Sequence, residues 1–192
     1  MPAPQVAELT FYYTSPGVFT VGETGQVSLD YLFDGGKYQG DLAIFSLADT
    51  DRTLQDGTEA FAREVALRAV LDRSLGHLAI SDLTEGARFS GSLPYEDNFN
   101  AGTYKGAKTF SMRPGDKFGI VLIPNGTVED VLYGRNLEGD HLPLFSIPSL
   151  NLNSTSYLTQ LAETHPDSLH QVDGNVFGME DSRLDDASES GL

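Results

Sequence analysis

The sequence predicts a mainly β protein: an antiparallel β-sandwich with one inserted α-helix over about residues 58–73. Three observations carry this. Short apolar runs recur between Gly- and Pro-containing turns; residues 26–34 alternate with period two; and a helical period occurs convincingly only once. No internal repeat or interdomain linker is visible. The expected layout is one domain over residues 1–180 and an acidic, flexible tail over 181–192.

The elements follow in order. Glu8 to Tyr13 reads as a first strand, turned by Ser15-Pro16-Gly17. Val18 to Val21 is apolar and ends at Gly22-Glu23-Thr24-Gly25. From Gln26, Val27, Leu29, Tyr31 and Phe33 fall on one face, with Ser28, Asp30, Leu32 and Asp34 on the other. That is a half-buried strand reaching the Gly35-Gly36 turn. Leu42 to Leu47 is apolar enough to be central.

Thr58 to Arg73 carries Phe61, Val65, Ala66, Ala69 and Val70 on an apolar face and Glu64, Arg68 and Asp72 opposite. Thr58 or Asp56 can cap it, Glu59 suits its first turn, and Gly76 ends it. His77 to Ser81 is a strand leading away; His77 reads as a structural edge residue. Thr84 to Lys108 reads as irregular, with a short strand near Ala87 to Ser90.

Thr109 to Gly134 reads as strand, turn, strand, turn, strand. Phe118 to Ile123, interrupted only by Gly119, suits a strand buried on both faces. Arg113-Pro114-Gly115-Asp116 and Pro124-Asn125-Gly126-Thr127 are the turns, and Val128 to Tyr133 resumes as the third strand. Leu142 to Ile147 is a strand closed by Pro148. Leu150 to Val172 is a polar connection, and Val176 to Met179 a last strand.

Composition excludes several chemistries. Twelve basic against 28 acidic side chains give a net charge of −16, which disfavours nucleic acid and anionic membranes and suits cations. With no Cys, disulfides, zinc thiolates, iron–sulfur clusters and Cys nucleophiles are all ruled out. No apolar run approaches membrane-spanning length, and MPAPQVAELTFYY lacks the marks of an export signal. Gly91-Ser92 lacks the neighbours of a nucleophile elbow. His165 and His170, five apart, do not share a helix face as paired metal ligands would.

Carboxylate clusters are the better candidates. Asp49-Thr50-Asp51-Arg52-Thr53 opens like a calcium loop but has Leu54 where Gly is needed and Ala60 at the twelfth position, so a helix-capping loop is preferred. Asp30, Asp34 and Asp41 flank the Gly-Gly turn as a possible second metal cluster, against a solvated edge. Glu96-Asp97-Asn98-Phe99-Asn100 is an oxygen-rich loop that ordinary turn chemistry explains. Glu180, Asp181, Asp185, Asp186 and Glu189 put five carboxylates in ten residues, which repel unless a cation or distance relieves them; the plain alternative is a disordered acidic tail.

The run FGIVLIPNGT followed by VFGMEDSRLDD resembles the C-terminal domain of unknown function of many bacterial, especially cyanobacterial, secreted proteins. In that family a strand of the type L-G-F-x-L-x-x-N-G-T precedes F-x-x-E-D, and an acidic D-x-D-Y-N-D segment leads into a final strand. DYLFDGGKYQGDLAIFSL and the helix AFAREVALRA look like the N-terminal extension of its cyanobacterial members. The resemblance implies a calcium-associated β-sandwich of surface or adhesin-type proteins. Glu180 and Asp181 match the family's E-D pair, and Asp185 or Asp186 its acidic loop. The D-Y-N-D segment is missing, since the chain reads Ser188-Glu189-Ser190-Gly191-Leu192 there.

The expectation is therefore a calcium-binding structural or adhesive module, extracellular or at the cell surface, and not an enzyme. Calcium is the expected cofactor, with glycans or other surface proteins as partners and no membrane insertion. Without the family's last strand, self-association through a C-terminal β edge is expected. The alternative is a carbohydrate-binding module presenting Tyr95, Phe99 and Tyr104.

Overall fold

The computed structural model describes residues 11–35, 38–50, 59–71, 74–89, 102–135, 137–161 and 176–180. These form a mainly β fold with antiparallel sheets and two α-helices.

The apolar run at the centre of the sequence is also the centre of the sheet. It forms β7 (Lys117–Ile123), hydrogen-bonded along one side to β4 (Asp41–Ser46). Its other side is shared: β2 (Val18–Val21) takes Lys117 and Phe118, and β8 (Leu144–Phe145) takes Val121 and Leu122. β1 (Phe11–Ser15) and β5 (Gly76–Ser81) extend the sheet to the order β1-β2-β7-β4-β5.

Alternation sends successive side chains to opposite faces. Ala43, Phe45, Val121 and Ile123 face α1 (Glu59–Leu71) and α2 (Val128–Leu132), packing with Phe61, Val65, Val128, Val131 and Phe145. Ile44, Phe118 and Ile120 face the other way. Two ribbons cover them there: β3 (Gln26–Leu29) with β6 (Lys108–Ser111), and β9 (Leu158–Leu161) with β10 (Val176–Met179). The sheet is thus the middle of three layers, which is why its central strands read as continuous apolar runs.

Gly119 is explained by register. It sits opposite Phe45, and a Cβ there would lie 2.8 Å from the Phe45 ring. The missing side chain makes room for that ring on the helical face.

Several elements differ from the sequence reading. Val128 to Tyr133 does not resume as a strand but turns into α2. Thr127 and Asp130 form a reciprocal capping box, and Val128 and Val131, three apart, bury one helical face. In α1, Arg68 is not on a solvated face: it is 5% exposed, because its guanidinium reaches the carbonyls of Ser46, Ala48 and Asp49 where the chain leaves β4. Glu64 lies 2.8 Å away and neutralises it. Val70 is 39% exposed and outside the core, while Ala62 takes a buried place.

β3 stops at Leu29, where its partner β6 begins at Lys108, so residues 30–34 are not strand. Ala87 to Phe89 forms no strand, although the Arg88 and Phe89 amides donate to the Tyr31 and Leu32 carbonyls; Ser90 lies outside the described residues. The strand expected over Leu142 to Ile147 contracts to two residues, with Pro148 opening a 3-10 turn to Leu150. The polar connection after Leu150 hides β9, held by the burial of Tyr157 and Leu158. Val176 to Met179 is a strand as expected, paired with β9 rather than with the main sheet. Residues 8–10, 72 and 73, Thr58, and the tail over 181–192 lie outside the described residues.

Candidate functional site

The carboxylates gather where β3, β5 and β7 end and β4 begins. Asp41 opens β4, opposite Ser81 on β5 and Ile123 on β7. It is 3% exposed, and its Oδ2 accepts the Val128 amide at 2.9 Å, tying the start of α2 to the sheet. Its Oδ1 has no hydrogen-bond partner among the described residues. Burial raises the Asp41 pKa; the Val128 amide and Ser81 hydroxyl oppose the rise, and Asp130 and Glu129 add to it.

Asp82, the first residue after β5, is 6% exposed. The Tyr31 hydroxyl donates to its Oδ1 at 3.2 Å. Burial first, then the charge of Asp34, pushes the Asp82 pKa up to about 7. The same surroundings push the Tyr31 hydroxyl pKa up, burial again leading.

Two neighbouring carboxylates are neutralised by cations. Glu85 is buried, accepts the Ser81 amide at 2.9 Å and pairs with Lys108, which also donates to the Ala79 carbonyl at 2.6 Å. Asp30 pairs with Arg88 at 3.0 Å and accepts the Tyr104 hydroxyl at 2.6 Å. That bond is the main reason the Tyr104 pKa is raised.

The three carboxylates of the second metal cluster therefore have separate settings. Asp30 is bound to Arg88 and Tyr104, Asp41 faces α2, and Asp34 stands near Tyr31 and Asp82. Among the described residues, no three His, Asp or Glu side chains stand where they could hold a metal ion. Sequence reasoning passed over Asp82 and Glu85, which with Asp41 are the buried acids among the described residues. Their spacing in S-D-L-T-E looks like an ordinary polar turn.

Of the C-terminal acids, Glu180 is described: it is exposed, and its amide donates to the Tyr157 carbonyl at 3.0 Å. Asp181, Asp185, Asp186 and Glu189 lie outside the described residues, as do Tyr95, Phe99, the loop from Glu96 to Asn100, and Asp51. Asp49 is bound to Arg113 at 3.3 Å. His77 contacts the Ser111 carbonyl at 2.9 Å and lies 5.1 Å from the Phe110 ring, a structural setting. No helix among the described residues is long and apolar enough to cross a membrane.

No curated protein and no solved structure matches the chain. A family match does exist, and it spans β7, α2, β8, β9 and β10 while omitting β2 and β4, the strands that flank β7. Residues 112–190 match the model of a domain of unknown function, DUF4114, and this part of the chain is similar to that family.

Proposed function

We propose that the protein is a calcium-binding structural or adhesive module of a secreted or cell-surface bacterial protein. The observation that carries this reading is the anchoring of β10 and Glu180, from which the acidic stretch of the sequence continues. Phe177 of β10 packs 5.0 Å from Phe19 and 5.3 Å from Tyr13, and the Glu180 amide is tied to Tyr157. Glu180 is thereby held on the sandwich, and in the sequence Asp181, Asp185, Asp186 and Glu189 follow it. Hard oxygen donors so closely spaced in the sequence suit a hard cation such as calcium. The net charge of −16 favours the same partner.

The test is thermal unfolding in chelator, in millimolar calcium and in magnesium. A ligand that binds only the folded state at ~100 times its Kd adds about 2.7 kcal/mol, and the melting temperature rises accordingly. The variant D181N/D185N/D186N/E189Q removes the rise. Identical melting temperatures in all three solutions would overturn the reading.

A further inference from the structure

The turn Pro124-Asn125-Gly126-Thr127 joins the end of β7 to the cap of α2. Asn125 is exposed and stands at φ +47°, in the left-handed region that Asn tolerates better than most residues. Among the described residues its side-chain amide has no hydrogen-bond partner, and the Gly126 amide donates to no acceptor. The two carbonyls of the pair are held. That of Gly126 accepts the Asp41 amide at 3.1 Å, and the main-chain carbonyl of Asn125 lies 2.6 Å from His141 Nδ1. A carbonyl only accepts, so Nδ1 carries the hydrogen of this bond.

This is the one Asn-Gly pair in the chain. When glycine follows asparagine, no side chain shields the glycine nitrogen from the asparagine side-chain carbonyl, and their union closes a five-membered ring. The nitrogen attacks once its N–H has ionised. An amide committed to an acceptor is withdrawn from that reaction, and the Gly126 amide is not. The Asn125 carbonyl and the Gly126 nitrogen belong to one conjugated peptide unit. Negative charge left on the nitrogen therefore spreads to the carbonyl oxygen, where the His141 N–H stabilises it.

We propose that Asn125 is a site of spontaneous deamidation, promoted by the His141 hydrogen bond to its main-chain carbonyl. The Gly126 amide proton passes to water, and the nitrogen forms a bond to Asn125 Cγ. The bond from Cγ to the side-chain nitrogen breaks, and that nitrogen leaves as ammonia after taking a proton from water. Water then opens the cyclic imide at either carbonyl, giving aspartate or isoaspartate, with nothing oxidised or reduced. Both products add a carboxylate just before a helix whose first turn already holds Glu129 and Asp130. Isoaspartate also adds a main-chain methylene ahead of Gly126 and Thr127. It thereby displaces the Gly126 carbonyl from the Asp41 amide and the Val128 amide from Asp41 Oδ2.

The test is peptide mapping of the full chain after incubation in warm, mildly alkaline buffer. The peptide that holds Asn125 gains about 1 Da and becomes a substrate for an enzyme that methylates isoaspartate, ahead of every other asparagine. His141→Leu slows this conversion about fivefold in the folded protein, the worth of one hydrogen bond to the developing charge. It leaves the rate unchanged when both chains are unfolded in urea. Base-catalysed amide exchange removes the same proton, so Gly126 in the folded wild type exchanges at or above its intrinsic rate. An Asn125 that stays intact in the folded chain while the urea-unfolded chain converts overturns the proposal. So do equal folded rates in the wild type and His141→Leu. If His141→Leu does not fold, the Gly126 amide decides: protection above about tenfold overturns the proposal.

Discussion

The Ser146 hydroxyl donates to the Gly17 carbonyl at 2.7 Å and accepts the Ile120 amide at 2.9 Å. One buried hydroxyl thus ties the β1–β2 turn to the middle of β7, at the point where β2 gives way to β8 along the same strand edge. Gly17 adopts φ +72°, and a Cβ there would lie 1.8 Å from the Ser146 carbonyl oxygen.

Ser146→Ala should therefore leave a buried amide and a buried carbonyl without this partner and cost about 2–3 kcal/mol in urea unfolding. Gly17→Ala should cost more, since it adds a backbone clash to an unfavourable φ. A loss below ~0.5 kcal/mol for Ser146→Ala would mean that water replaces the hydroxyl without cost.

Along β7, two residues of the same face differ in burial. Ile120 is buried beneath the β ribbons, while Leu122 is only half-buried. Ile120→Ala should cost on the order of 2–5 kcal/mol and Leu122→Ala less. Equal losses at both positions in denaturant titrations would contradict this difference in burial.

Glu85 and Lys108 form a pair in which the acid is buried and the cation half-buried. Lys108→Met should destabilise by up to about 3 kcal/mol, because a buried carboxylate loses its counter-charge. Adding Glu85→Gln should recover part of that loss. The comparison is a double-mutant cycle in unfolding free energy. A double variant weaker than Lys108→Met alone would show that Glu85 contributes through its other bonds, such as that to the Ser81 amide.

The sequence by itself determined the mainly β class, the central place of Phe118 to Ile123, the one long helix and the strand at Val176 to Met179. These are local facts: an apolar run must be buried, and a repeated helical spacing presents one face. It misplaced Val128 to Tyr133 because a single helical turn is too short for periodicity to show; Thr127 and Asp130 carried the signal as a capping box instead. It put Arg68 in solvent because spacing cannot show that three carbonyls of the β4 exit wait within its reach.

The candidate site was legible only as charge. Asp30, Asp34 and Asp41 are near in sequence, yet Asp30 is drawn to Arg88 and Tyr104, and Asp41 to the amide of Val128. Asp82 and Glu85 come from a turn with no distinguishing pattern. Tertiary structure alone decided which carboxylates are buried, which have a cation and which accept a tyrosine hydroxyl. Those properties depend on partners 23 to 87 residues away along the chain, as for Glu85 with Lys108 and Asp41 with Val128, and local spacing holds no record of them.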